Sequence, residues 1–123
     1  MKVYIAGPYS SDPIGNTSEA IRIANEVRDI GHYPFVPHLS LQWDSQHPRD
    51  YEDWMKFDFE WLKQCDAVLR FPGHSPGADR EVEFATSREI SVLKYPEDID
   101  LLKHIRHAEI CADEERHMSQ FPN

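Results

Sequence analysis

The stretch Ser75-Pro-Gly-Ala-Asp-Arg-Glu-Val-Glu-Phe-Ala85 follows a short apolar run, Ala67-Val-Leu-Arg-Phe71, and the junction between the two decides the fold. The apolar run, entered from Cys65-Asp66 and closed by Pro72-Gly73, reads as a buried strand. Ser75 or Gly77 then starts a helix expected to run to about Glu89. This strand, turn and helix place Glu81 in the first turns of a helix beside a strand's carboxyl end. In open α/β sheets ligands bind there, because the loops diverge and helix amino termini point into the gap. A carboxylate at that place is a candidate nucleophile or base. The helix macrodipole alone also favours acidic residues such as Glu81 and Glu83 in a first turn, so a role for Glu81 needs companions.

Working outward, the same alternation recurs. Lys2 to Ala6 is a short run with β-branched and aromatic residues, stopped by Gly7-Pro8, and fits a buried first strand. A loop rich in Gly, Pro, Ser and Asn spans residues 7 to 16. Asn16, Thr17 or Ser18 can cap the next helix, whose apolar positions Ala20, Ile23, Ala24, Val27 and Ile30 recur at helical spacing before Gly31 ends it. Tyr33 to Val36 suits a second strand, with Pro34 at an edge or strand start. Residues 37 to 50 show no sustained period and are expected to form a long surface loop or lid. Helical spacing resumes from Tyr51 to Gln64 through Trp54, Met55, Phe57, Asp58, Trp61 and Leu62. Ile90 to Lys94 reads as a fourth strand. Pro96 onward reads as a last helix with Ile99, Leu102, Ile105, Ala108 and Ala112 on one face and a fraying charged tail at residues 113–117.

Strands alternating with helices imply a single-domain, three-layer α/β fold. The expected architecture is a Rossmann-like, flavodoxin-like parallel sheet of four to five strands with helices on both faces. Residues 1–123 are read as one domain, with 96–123 its C-terminal helix and tail. At 123 residues the chain can bury a core without disulfides or metal. Its formal net charge of −9, from 22 acidic and 13 basic side chains, disfavours a nucleic-acid polymer as ligand. A small phosphate ester stays compatible with helix amino termini. Two cysteines, Cys65 and Cys111, without short spacing suggest neither a disulfide framework nor a zinc ribbon. The first apolar run is too short for a signal peptide or membrane span, so the expectation is a cytoplasmic protein without a membrane partner.

In such a sheet the loop after the first strand, the helix before the third and the loop after the third converge at one edge. Gly7 to Ser11, Asp58 and Glu81 thereby become neighbours. An aspartate on an apolar helical face, as Asp58 is, has to be hydrogen-bonded or functional. The run Asp58-Phe-Glu-Trp-Leu-Lys-Gln-Cys-Asp66-Ala-Val68, then Ser75-Pro-Gly77, then Glu81 with Ala85 four residues on, resembles the nucleoside 2-deoxyribosyltransferase superfamily. Tyr4-Ile-Ala-Gly-Pro-Tyr-Ser10 resembles its first strand and loop, including uncharacterised bacterial and phage members. The segment from Asp58 to Val68 is most similar to the 2'-deoxynucleoside 5'-monophosphate N-glycosidases. The resemblance covers roughly residues 1 to 95.

What the resemblance implies is cleavage of the bond between a base and a 2-deoxyribose. Glu81 would attack C1' and form a glycosyl ester, Asp58 would bind sugar hydroxyls or pass a proton to the base, and Tyr9 would orient Glu81. Water or a second base would resolve the ester, the logic of retaining glycosidases. Gly7, Pro8, Ser10, His38, Ser75 and Gly77 form the expected substrate-binding set. Ser10, Ser75 and the amides around Gly7 and Gly77 are the donors for a 5'-phosphate, although each serine singly also suits turn and cap chemistry. No cofactor and no metal are implied, the substrate is a small nucleoside or nucleotide, and a homodimer or higher homo-oligomer is expected. Asp79-Arg80 before Glu81 departs from the small-aromatic pair common in that superfamily. A catalytically silent nucleotide-binding or sensing module on the same scaffold is the alternative reading.

Among the other signals, His104, His107 and His117 lack a third ligand at metal spacing and read as surface histidines. His38, after the second strand, is better placed to line a pocket. Trp43, Trp54 and Trp61 can stack on a base, although Trp54 and Trp61, seven apart, fit a core or subunit interface as well.

Overall fold

The computed structural model describes residues 1–120 and contains four parallel strands and five α-helices, with at least one helix between successive strands. The strands are β1 (Lys2–Ala6), β2 (Tyr33–Phe35), β3 (Ala67–Arg70) and β4 (Ser91–Lys94), in the spatial order β2-β1-β3-β4. Register sets Tyr4 between Phe35 and Val68, with Val92 beyond. The helices are α1 (Pro13–Ile30), α2 (Ser40–Gln46), α3 (Tyr51–Leu62), α4 (Pro76–Ser87) and α5 (Ile99–Gln120), with a 3-10 turn at Pro37–Leu39.

The two-residue period of the strands divides the core. Val3, Ile5, Ala67, Leu69 and Leu93 pack beneath α1 and α5, together with Ile23, Val27, Ile99 and Leu102. Tyr4, Ala6 and Val68 face the other way, against Leu62 of α3 and Ala78 and Ala85 of α4. The central strands are therefore buried on both faces, as a parallel sheet requires. Each fully buried Leu or Ile contributes roughly 1.5–3 kcal/mol relative to exposure. The expected α/β architecture is the observed one, with four strands.

Four local expectations need correction. α1 starts earlier than expected, at Pro13, because Asp12 rather than a residue from 16 to 18 caps it, accepting from the Gly15 N–H at 3.2 Å. The Asn16 amide instead donates to the Tyr9 carbonyl at 3.1 Å and to Ser11 Oγ at 3.0 Å, which fastens the loop onto the helix. The expected long loop contains the 3-10 turn and α2, too short at seven residues to show a period. The segment 113–117 is helical rather than a fraying tail, and on α5 only Ile99 and Leu102 are buried among the described side chains. Gly31 closes α1 as expected, in a left-handed conformation with φ 112° that glycine adopts without strain. No helix among the described residues is long and apolar enough to cross a membrane.

Candidate active site

The site begins with the start of α4. Ser75 is extended and its hydroxyl accepts from the Ala78 N–H at 3.1 Å, capping the helix, while Pro76 takes the first helical position. Gly77, Ala78, Glu81 and Ala85 share the inner face, at spacings of three and four. Small residues on either side let α4 lie close to β1 and β3. At Gly77 a side chain would meet the Tyr51 hydroxyl, 2.9 Å from where its first carbon would stand. Glu81 is drawn inward by this packing and is 6% exposed.

A buried carboxyl needs a partner. The Tyr4 hydroxyl, projecting from the same face of β1, donates to Glu81 Oε2. Burial pushes the Glu81 pKa up, the Tyr4 hydrogen bond opposes this, the charge of Asp58 adds to it and Arg70 opposes it, with a result of about 8. Burial, followed by the charge of Glu81, raises Tyr4 well above its ordinary value, so the phenol keeps its proton and remains a donor.

Asp58 reaches the same space from α3. Tyr51, Trp54, Met55 and Asp58 lie on one side of that helix, and all four line the cavity. Burial raises Asp58 to about 7, and its Oδ1 is buried without a hydrogen-bond partner among the described residues. Two carboxyl groups of raised proton affinity, coupled by charge, therefore titrate as a pair near neutrality. The third wall is the loop after β1. Gly7 sits directly against the Phe71 ring, 2.2 Å from where a side chain's first carbon would be. His38 is buried, and its Nε2 lies 2.9 Å from the Pro8 carbonyl. Burial lowers its pKa, so the ring is neutral, Nε2–H donates to Pro8 and Nδ1 is left as an acceptor without a partner among the described residues.

The cavity measures about 530 Å³, a size suited to a small ligand. Of the residues expected from the sequence, Gly7, Tyr9, Ser10, His38, Asp58, Ser75, Gly77 and Glu81 line it. Pro8 does not. Its carbonyl is taken by His38, and its ring fills the space beside Gly73. Tyr9 lines the cavity, but the tyrosine that holds Glu81 is Tyr4. Glu83 is exposed on the far side of α4. Arg80 turns away to pair with Glu52 at 2.9 Å and lies over the Tyr51 ring at 5.6 Å. Trp61 stacks on Phe35 outside the cavity, with ring centroids 5.7 Å apart. Among the described residues no group of three His, Cys, Asp or Glu side chains is arranged to hold a metal ion.

Residues 1–95 match a family described as a domain of unknown function, DUF7768. The chain belongs to the DUF7768 family. No curated protein matches it. Among solved structures, this DUF7768 domain is similar to the 2-desoxiribosyltransferase of Leishmania mexicana, with TM-score 0.59 and 16% identity over 76% of this chain. It spans only 63% of that enzyme's length. The 2-deoxyribosyltransferase of Bacillus psychrosaccharolyticus matches with TM-score 0.53 and 23% identity, over 76% of this chain and 71% of that one. The CMP N-glycosidase BcmB of Clostridium botulinum matches with TM-score 0.52 and 18% identity, over 83% and 80% respectively. At these identities the likeness is one of fold.

Several residues that line the cavity of the DUF7768 domain or hold its carboxyl groups were not legible as site residues. Tyr4 reads as an ordinary strand residue. Its signal is that a phenol on a strand buried on both faces must find a polar partner. Tyr51 and Met55 are recoverable from Asp58 by counting seven and three residues back along α3. Asp44 and Arg49 lie in a segment without periodicity, and nothing in their spacing marks them.

Proposed function

We propose that this domain is an N-glycosidase or deoxyribosyltransferase acting on a 2'-deoxynucleoside or its 5'-monophosphate. The observation that carries the reading is Glu81, a carboxyl buried on the cavity floor, held by the Tyr4 hydroxyl and coupled in charge to Asp58. The folds of two deoxyribosyltransferases and a CMP N-glycosidase support it.

In the first step the ionised Glu81 attacks C1' of the sugar. A carboxylate–C1' bond forms as the bond from C1' to the base nitrogen breaks, and its electron pair leaves with the base. Protonated Asp58 delivers its proton to the departing base, the second role that a pair of carboxyl groups supplies. With Oε2 engaged by Tyr4, Oε1 is the attacking oxygen. In the second step water attacks C1', Asp58 takes the water's proton and Glu81 is released; an acceptor base replaces water in a transferase. Protonated Asp58 carries no charge to oppose ionisation of Glu81, so the productive form has the single proton of the pair on Asp58. Ser10 and the amino terminus of α4 at Gly77 face the cavity where a 5'-phosphate would be received.

The test is incubation of the protein with a panel of deoxynucleosides and their 5'-monophosphates, with free base followed by chromatography, beside Glu81→Ala. Release by the wild type that the variant lacks supports the assignment. Release that persists in the variant, or none from any compound, overturns it.

A further inference from the structure

The cavity lining holds a further carboxylate, that of Asp44, which the displacement does not use. Asp44, near the end of α2, lines the cavity. Its Oδ1 accepts from the Trp54 indole N–H at 2.6 Å and from the Arg49 backbone N–H at 3.0 Å. Those bonds, the Arg49 amide first and the indole second, hold its pKa below the ordinary value, so it is a fixed anion. Both donors use the same oxygen, and Oδ2 has no hydrogen-bond partner among the described residues. The indole is itself fixed, by edge contacts to Trp43 at 5.3 Å and Phe57 at 5.6 Å.

The position of the base follows from the attack. Displacement at C1' by Glu81 expels the base on the side away from the carboxylate. The cavity lining offers a base an aromatic and apolar surface, the α3 face formed by Tyr51, Trp54 and Met55. Asp44 stands at the edge of that surface, within hydrogen-bond distance of Trp54. A base lying on it presents its outer edge to the free oxygen of Asp44.

We infer that Asp44 is a specificity-determining residue whose free Oδ2 accepts from an exocyclic amino group. On that account the site takes amino-bearing bases, cytosine and adenine, over their carbonyl counterparts, uracil and hypoxanthine. The inference rests on the glycosidase reading for the nature of the ligand. An amino group donates to the carboxylate, whereas a carbonyl oxygen at the same position meets a fixed negative charge with no proton to offer.

The decisive experiment compares deoxycytidine with deoxyuridine 5'-monophosphate, and the adenine with the hypoxanthine compound, for wild type, Asp44→Asn and Trp54→Phe. Base release gives kcat/KM, and quenching of tryptophan fluorescence, read on the wild type and Asp44→Asn, gives affinity independently of cleavage. The wild type is expected to prefer the amino member of each pair about ten- to hundredfold. Asp44→Asn can retain the Trp54 bond through its carbonyl while presenting an amide N–H to the ligand, and is expected to reverse the preference. Trp54→Phe keeps an aromatic wall but frees the carboxylate, and is expected to reduce the preference without reversing it. Preferential binding of the amino members without base release supports the inference and sinks the glycosidase reading. Base release with no preference in the wild type, or with a preference unchanged in Asp44→Asn, overturns the inference and leaves the glycosidase reading standing. Failure of both members of each pair to bind or react overturns it as well.

Discussion

Tyr4 and Glu81 are 77 positions apart in the chain, yet the phenol of one donates its proton to the carboxylate of the other inside the α3–α4 face of the sheet. The bond supports the ionised form of an otherwise desolvated acid. Tyr4→Phe removes the donor with little change of shape. Glu81 then becomes harder to ionise, so the acidic limb of the pH–rate profile moves to higher pH and kcat falls about ten- to hundredfold at pH 7. Rate profiles of the two proteins check this, and an unmoved limb contradicts it.

The same acid governs stability. An unfolded glutamate ionises near 4.5 and the folded Glu81 near 8. Between those values the unfolded chain binds fewer protons than the folded one, so the contribution of Glu81 to stability is full below about pH 4.5 and is lost as pH rises through 8. Glu81→Gln, which cannot ionise, is therefore expected to be more stable than the wild type by a few kcal/mol at pH 8, and by much less at pH 5. Thermal melts across that range test it, with a pH-independent gap as the contrary result.

Asp58→Asn removes the proposed proton donor, together with a charge that raises the proton affinity of Glu81. Its kcat should drop by about 10² to 10⁴. The alkaline limb, which on the proposed mechanism reports loss of the Asp58 proton, should disappear and leave a single acidic limb for Glu81. Persistence of both limbs would assign the proton donor elsewhere.

Gly7→Ala is a steric test of the wall formed by the loop after β1. The added methyl group would stand against the buried Phe71 ring, which is 3% exposed and packs on His38 with ring centroids 5.6 Å apart. Overpacking of this kind costs about 1–3 kcal/mol. A lower Tm together with a weakened ligand response is the expected pairing.

Arg80→Ala supplies the contrast. Its partner Glu52 is 61% exposed, and an exposed ion pair contributes less than about 1 kcal/mol. Activity and Tm should stay close to wild type, and a large loss of activity would place Arg80 in the site.

The legible part of the fold rests on repetition. The apolar runs at β1 and β3, the glycine after α1 and the three- and four-residue spacing of α1 and α3 each state a local period and its end, and together they imply a parallel sheet. Glu81 and Asp58 were legible because each places a carboxylate on a helix at one sheet edge. Physical reasons also explain what was missed. α2 is too short to complete an amphipathic pattern, so Asp44 had no frame of reference. Asp12 competes with three other capping residues in sequence, and Pro13 after it decides the matter by favouring a first helical position. The choice between Tyr4 and Tyr9 depends on which phenol reaches Glu81. That is set by strand register against α4, a relation between distant segments that local spacing does not contain.

The alternation of β1 carries a consequence for the integrity of the protein as a population. Val3 and Ile5 fill one side of the sheet while Tyr4 and Ala6 fill the other. A slip of β1 by one residue would exchange the two sets, placing an aliphatic side chain beside Glu81 and a phenol beneath α1. The group that tunes the acid thus doubles as a gauge of strand alignment. On the proposed function, molecules assembled out of register would be inert rather than altered in selectivity, and the specific activity of a preparation would count its correctly aligned copies.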